Sequence, residues 1–293
     1  MRTRFAIRTA AIVAGVATAL TLTACGSAKD SDRPTVIAST NVWGNIAATI
    51  AGPDAKVESI ISDPGADPHS HETSAVESAK ISDADLIVYN GGGYDEFIEK
   101  AVAGRKKRTV DAYDSRADQN GKNEHVFYDV NTVGVVADRI ATALGEIDTA
   151  HAKNYTDRAA AFKSQLSGIT AITAKFAADH PKTPVLQTEP LAYYLLRAAD
   201  AQDLTPREFQ EAIEQETDPA PAAVAATRDL LTGKKVRALV YNVQTQDKIT
   251  RDLRGVAQSA GVPIVEVTET LPADTDYVQW QTKNAQALAA ALS

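Results

Sequence analysis

From residue 151 to residue 179 the chain runs without a proline, and Tyr155, Phe162, Leu166, Ile169, Ile172 and Phe176 recur mostly three, four or seven positions apart. That spacing gathers the apolar side chains on one stripe of an α-helix. At 1.5 Å per residue such a helix is roughly 40 Å long, enough to run along a whole two-part body. The same scheme stands on either side of it. Before it, short strand-like runs at 35–39, 57–61, 86–90 and 109–113 alternate with helical patterns at 42–50, 74–82, 94–102 and 133–144. After it, runs at 184–188, 236–242 and 263–268 alternate with helical patterns at 192–199, 205–216, 220–231, 248–260 and 277–292. Alternation of this kind predicts parallel sheets covered by helices. The expected fold is α/β: two lobes, each a mostly parallel sheet flanked by helices, joined by one long rigid helix. The expected boundaries are 35–147 for the N-terminal lobe, 148–180 for the connecting helix and 181–293 for the C-terminal lobe.

The first residues carry an address. Arg2, Arg4 and Arg8 precede an almost uninterrupted run of Ala, Val, Ile, Leu, Thr and Gly over residues 9–24. The run is short for a membrane span and is followed at once by polar sequence, which predicts a secretory signal peptide over 1–24. Leu22-Thr23-Ala24-Cys25 has the lipobox pattern, a small residue before a cysteine with Leu three places upstream. The Cys25 thiol is expected to receive a diacylglyceryl group and to become the first mature residue, with 25–34 as a lipidated, flexible tether. The expected product is exported and lipid-anchored to the outer face of the cell membrane. Cys25 is the only cysteine, so neither a disulfide nor a thiolate metal site is available to the body. The formal charge of −8 becomes more negative once the three leader arginines are removed. That argues against a nucleic-acid partner and against polybasic attachment to anionic lipid.

Ligands of open α/β sheets bind beyond the carboxyl ends of the strands, so the residues at those exits are the candidates for chemistry. After the second strand stands Asp67-Pro68-His69-Ser70-His71-Glu72, and after the fourth, past a polar loop, Asn123-Glu124-His125-Val126-Phe127-Tyr128-Asp129. In the second half Glu189 and Glu269 end two strands. Singly, each is a turn histidine or a solvated strand-end charge. Together they are two histidines from one lobe and two carboxylates from the other, at equivalent topological places. Gly91 to Gly93 follow a strand but lack both the dinucleotide-binding spacing and a P-loop lysine, so close backbone packing is the expectation. His151 and His180, at the ends of the long helix, are expected to be structural or solvent-facing.

At these residues the sequence resembles the metal-binding solute-binding lipoproteins of ABC importers for zinc and manganese. The resemblance runs from about Thr35 to Leu292. GADPHSHETS resembles the family's DPH-x-Tyr-Glu-Pro segment and implies His69 as the first ligand. YNGGGYDEF resembles an Asn-Gly-x-Gly segment after a strand of the first lobe. NEHVFYD resembles a Pro-His-x-Trp-Leu segment and implies His125. QTEPLAYYLL resembles the segment in which manganese-type members carry Glu and zinc-type members His, which implies Glu189. VTETLPADTDYVQW resembles the Thr-Asp-Ser segment and puts Glu269 where the family has Asp. His71 stands in place of a usual Tyr, as an extra ligand, a supporting donor or a surface residue, with a non-ligand role preferred over ligation. Asp67, Glu72 and Asn242 are further candidates for support around the ion, with Gln244 beside Asn242. Glu124 replaces the proline before His125, and the loop 117–124 lacks the histidines of many zinc members.

The resemblance implies one divalent ion held between the lobes by His69, His125, Glu189 and Glu269 and delivered to a permease and its ATPase by a monomeric binding protein. Imidazoles with carboxylates suit Mn2+, Fe2+ or Zn2+. Two carboxylates neutralise a dication, and their bidentate capacity favours manganese, with zinc next and iron(II) third. Two other classes remain as alternatives. A metal-dependent hydrolase needs an open coordination position and a base, and neither H-E-x-x-H nor G-x-S-x-G occurs. A surface adhesin or structural lipoprotein would hold no stoichiometric metal.

Overall fold

The computed structural model describes residues 33–104, 108–118, 122–215 and 217–293. The expected signal peptide and Cys25, and the tether as far as Asp32, lie outside the described residues. The first lobe comprises β1 (Thr35–Thr40), α1 (Asn41–Ala51), β2 (Lys56–Ile61), α2 (Ala75–Asp83), β3 (Leu86–Tyr89), α3 (Glu96–Val102), β4 (Arg108–Asp111) and α4 (Val130–Ile147). Next comes α5 (Ala152–Asp179). The second lobe comprises β5 (Pro184–Gln187), α6 (Tyr193–Ala198), β6 (Gln202–Asp203), α7 (Arg207–Glu214), α8 (Pro221–Thr232), β7 (Ala238–Asn242), α9 (Lys248–Ala260), β8 (Ile264–Val267) and α10 (Tyr277–Leu292).

Each lobe holds a four-stranded sheet with every pairing parallel, in the orders β2-β1-β3-β4 and β6-β5-β7-β8. This is the expected α/β arrangement. Strand β6 was not anticipated. Its Gln-Asp pair carries no apolar alternation, because it is an edge strand that pairs with β5 through Pro184 and Val185 alone. Several helices start on side-chain caps that the sequence supplies. Ser74 and Glu77 form a capping box on α2, Asp247 and Thr250 one on α9, and Asp129 accepts from the Asn131 N–H of α4.

The period of two along β1 divides the core. Val36 and Ala38 face one way, into an apolar cluster that also holds Trp43, Val136, Ile169, Val240 and Trp280. Ile37 faces the other way, against Ile87 and Ile98. The cluster on Val36 belongs to both lobes at once. Helix α5 runs through it with Tyr155, Ala159, Phe162, Leu166, Ile169, Thr173 and Phe176 buried, and it packs on α1 and α4 on one side and on α6 and α10 on the other. The guanidinium of Arg158 donates to the carbonyls of Ile50 and Ala51, both at 2.7 Å, and so ties the end of α1 to α5. A second cluster, with Leu186, Phe209, Leu239 and Leu253, closes the outer face of the second sheet.

Because the lobes share a core, they should unfold together. Phe162→Ala is expected to cost about 3–5 kcal/mol, the usual price of emptying a phenylalanine site. In a urea titration, the fluorescence of Trp43 and Trp280 should still report one coincident transition. Two separated transitions would contradict the shared core.

Candidate metal centre

The carboxyl ends of both sheets open onto one cleft. On the first-lobe side, the loop after β2 is turned by Asp67, whose carboxylate accepts the His69 N–H at 2.9 Å. Strand β3 ends in Asn90 and the glycines 91–93, which take φ of +75°, +70° and +91°. A side chain is strained in that region, and a Cβ on Gly91 would lie 2.5 Å from the Asp111 carboxylate. The turn is held by the buried Asp95, which accepts the N–H groups of Asn90 (2.7 Å) and Gly91 (2.8 Å). Its product is the placement of Tyr94, fully buried, with its ring centroid 4.8 Å from that of His69 and 5.7 Å from that of His125. The centroids of the two imidazoles lie 6.2 Å apart. His125 is 1% exposed, and its backbone N–H is fixed by the Asn123 side chain at 3.0 Å.

On the second-lobe side, Glu189 and Glu269 follow β5 and β8, and Asn242 ends β7 between them. The Asn242 amide donates to Oε1 of Glu189, to Oε1 of Glu269 (2.9 Å) and to Oγ1 of Thr245 (3.1 Å). One side chain thus ties both expected carboxylates together at the point where the strand order of the second sheet reverses. Across the cleft, Nε2 of His69 stands 3.7 Å from Oε2 of Glu269. Ligand-capable atoms gather in two overlapping groups, each with all members within 4.8 Å of one another: Asp67, His69 and Glu269, and His69, Glu124, His125 and Glu214. Glu189 belongs to neither group and joins them through Asn242.

The structure therefore assembles His69, His125 and Glu269 with Asp67 and Asn242 around one space, and Glu189 beside it. His71 turns away: its ring packs on Phe97 (4.6 Å) and its Nε2 lies 3.5 Å from Oε1 of Glu77. Glu72 is exposed on the same rim. His151 bonds Asp148 at 2.6 Å and His180 stacks on Phe176, both at the ends of α5. Sequence reasoning missed Glu214, Tyr94 and Thr245. Only Tyr94 carried a signal, as the residue delivered by the triple glycine.

Gln244 joins the lobes at the mouth. Its Nε2 donates to the carbonyls of Pro64 (3.1 Å) and Ala66 (3.2 Å), and Thr270 Oγ1 donates to Pro64 at 2.7 Å. Its Oε1 accepts the Glu269 N–H. The loop that carries His69 is thereby latched to the residue pair that carries Glu269.

The cleft is acidic, and among the described residues no Lys or Arg forms an ion pair with Glu124, Glu189, Glu214 or Glu269. Burial pushes the Glu189 carboxyl up to about 7 against its bonds from Asn242 and Thr245. Burial, with the charges of Glu189 and Asp67 added, drives Glu269 well above the carboxylate range. Burial and the adjoining Glu124 carboxyl raise Glu214 likewise. Burial moves His125 the opposite way, down to about 4, so its imidazole is neutral at pH 7 and has a lone pair to give. Among the described residues, His125 Nδ1, Glu269 Oε2 and both carboxyl oxygens of Glu214 are buried with no N–H or hydroxyl partner. Buried carboxyls without a cationic partner, beside imidazole nitrogens, are a donor set for a cation.

A model of the family described as zinc-uptake complex component A, periplasmic, matches residues 36–291. The chain belongs to that family. It is a substrate-binding component of a metal ABC importer and not an enzyme, and it works outside the cytoplasm with a membrane permease and an ATPase. The metal ABC transporter substrate-binding lipoprotein SloC of Streptococcus mutans is 26% identical over 264 residues, covering 84% of each chain. The periplasmic zinc-binding protein TroA of Treponema pallidum shares the fold with a TM-score of 0.75 at 19% identity, over 89% of this chain and 99% of that one. The binding protein FpvC of Pseudomonas aeruginosa, solved with Mn2+, does so with a TM-score of 0.74 at 21% identity, over 89% and 98%.

Three outcomes follow from this geometry. Carboxyls with raised pKa keep protons that an arriving cation must displace, so affinity should rise with pH between about 5 and 8. Titration calorimetry in buffers of different ionisation enthalpy should show proton release at pH 7. In the metal-free protein the sign reverses: the raised carboxyls stabilise the fold below their ordinary range, and that stability falls as pH climbs from about 5 to 8. Gln244→Ala, which removes hydrogen bonds worth about 1 kcal/mol each, should raise the metal off-rate about fivefold to thirtyfold in a chelator-chase experiment.

Proposed function

We propose that this protein captures one divalent transition-metal ion between its lobes, with His69, His125, Glu189 and Glu269 as ligands, and passes it to the permease. Manganese is the favoured cargo, zinc the next and iron(II) the third. The observation that carries the reading is the convergence of two imidazoles and buried carboxylates with which, among the described residues, no Lys or Arg forms an ion pair. A dication supplies the missing charge. Relatives named for zinc and for manganese support the class of ion, and Glu189 in place of a histidine tilts it towards the harder metal.

On this reading, residues 1–24 are removed on export and the lipid on Cys25 holds a monomer at the outer face of the membrane. The lobes are 35–147 and 181–293, with 148–180 as a stiff connector. Tethering raises the local concentration of loaded protein at the permease. Asp67 and Asn242 orient the ligands from behind, while His71 and Glu72 stay on the rim. Among the described residues no helix is long and apolar enough to cross a membrane.

The test strips the purified protein with chelator and measures metal content and thermal stability with Mn2+, Zn2+ and Fe2+. A ligand that binds the native state raises the unfolding temperature, by about 2.7 kcal/mol of stability at a hundredfold excess over Kd. His69→Ala and Glu189→Ala should remove most of that gain. Unchanged binding in both variants would sink the proposal. Zinc should bind at least as tightly as manganese in vitro, following the Irving–Williams order, so growth under limitation of each metal identifies the cargo.

A further inference from the structure

The four-ligand reading leaves Glu214 unused. It is the last residue of α7, a helix fixed by burial of Phe209 and Ile213 in the core of the second lobe. That anchorage aims the Glu214 carboxyl at the first lobe, with Oε1 3.6 Å from Nε2 of His125. Its ligand atom and those of His69, His125 and Glu124 lie within 4.8 Å of one another. Both Glu214 oxygens are shut off from solvent and meet no N–H or hydroxyl donor; the one side chain that shares a hydrogen bond with them is the carboxyl of Glu124. Glu124, beside it, is better provided, since its carboxylate takes a bond from its own backbone N–H. Glu189 and Glu269 lie close enough for their charges to act on Glu214, and Oε2 of the deeply buried Glu269 (3% exposed) also lacks a hydrogen-bond partner.

A buried carboxylate with no donor is costly unless a cation meets it. The buried end of α7 carries it to the cleft. We propose that Glu214 is a direct ligand of the transported ion, the fifth side chain of the site beside His69, His125, Glu189 and Glu269. The proposal rests on the four-ligand reading and extends it. Five side chains, three of them carboxylates able to bind through one oxygen or two, suit an ion of coordination number above four. A tetrahedral zinc site is filled by four donors. Glu214 thus works as a selectivity residue that favours Mn2+ or Fe2+.

The experiment compares the full chain, purified in mild detergent, with Glu214→Gln, Glu214→Ala and His69→Ala. X-ray absorption at the manganese edge counts the oxygen and nitrogen donors, and calorimetry gives the affinities for Mn2+ and Zn2+. Loss of an outer partner of a ligand costs about tenfold to a hundredfold in affinity, so removal of a ligand should cost about a hundredfold or more. Both Glu214 variants are expected to lose one oxygen donor and that much Mn2+ affinity, with a smaller loss for Zn2+. Glu214→Gln preserves shape, and its metal-free unfolding temperature should equal or exceed that of the parent. A lower one would contradict an unpartnered carboxyl. If both Glu214 variants keep the parent donor count and affinity while His69→Ala abolishes binding, Glu214 is not a ligand and the four-ligand reading stands. If the parent binds no Mn2+, or His69→Ala binds as well as the parent, both readings fall.

Discussion

Everything in this molecule depends on a core that does not stop at the lobe boundary. Helix α5 presents a stripe from Tyr155 to Phe176, and both lobes bury their inner faces against it and its neighbours α4 and α10. Two sheets joined by a flexible linker would lose the orientation of their strand exits. Here the exits are fixed relative to one another by packing at interior density, where a displaced methylene is already felt. That is why His69 and Glu269, far apart in the chain, stand 3.7 Å from each other.

The frame holds together what would otherwise repel. Glu189 and Glu269 share the amide of Asn242, while Glu214 and Glu124 lie against each other beside His125. In a solvated loop these side chains would separate and ionise. Inside the cleft burial raises the carboxyls of Glu189, Glu214 and Glu269, so a cation must displace their protons, and the imidazole of His125 stays neutral. Protein stability is thereby traded for readiness to bind, a balance that only a well-packed body sustains.

Much of this was legible in the sequence, for a physical reason. Strand and helix periods are local, so the alternation of elements, the unbroken α5 and the parallel sheets follow from spacing alone. Strand exits are the binding edge of such sheets, which singled out His69, His125, Glu189 and Glu269 before any geometry. The edge strand β6 escaped because pairing, not hydrophobicity, makes it a strand. Glu214 escaped because a glutamate at the end of an amphipathic helix reads as a solvated face. Only the burial of Phe209 and Ile213 reveals that this helix end points inward. Gln244 was marked as a neighbour of the cleft, but its reach to Pro64 and Ala66 is a tertiary fact with no local trace.

The latch at Gln244 and Thr270 bears on how a loaded protein is told from an empty one. Lobes that share a core are held to one another by packing, so a change at the site is felt first where the cleft is covered. The cover there is the short segment from Pro64 to His69, half of it exposed and tied to the second lobe by three side-chain bonds to Pro64 and Ala66. A receptor, or an antibody raised to discriminate the two forms, would have to read that lip, a few residues of surface standing for the state of the whole.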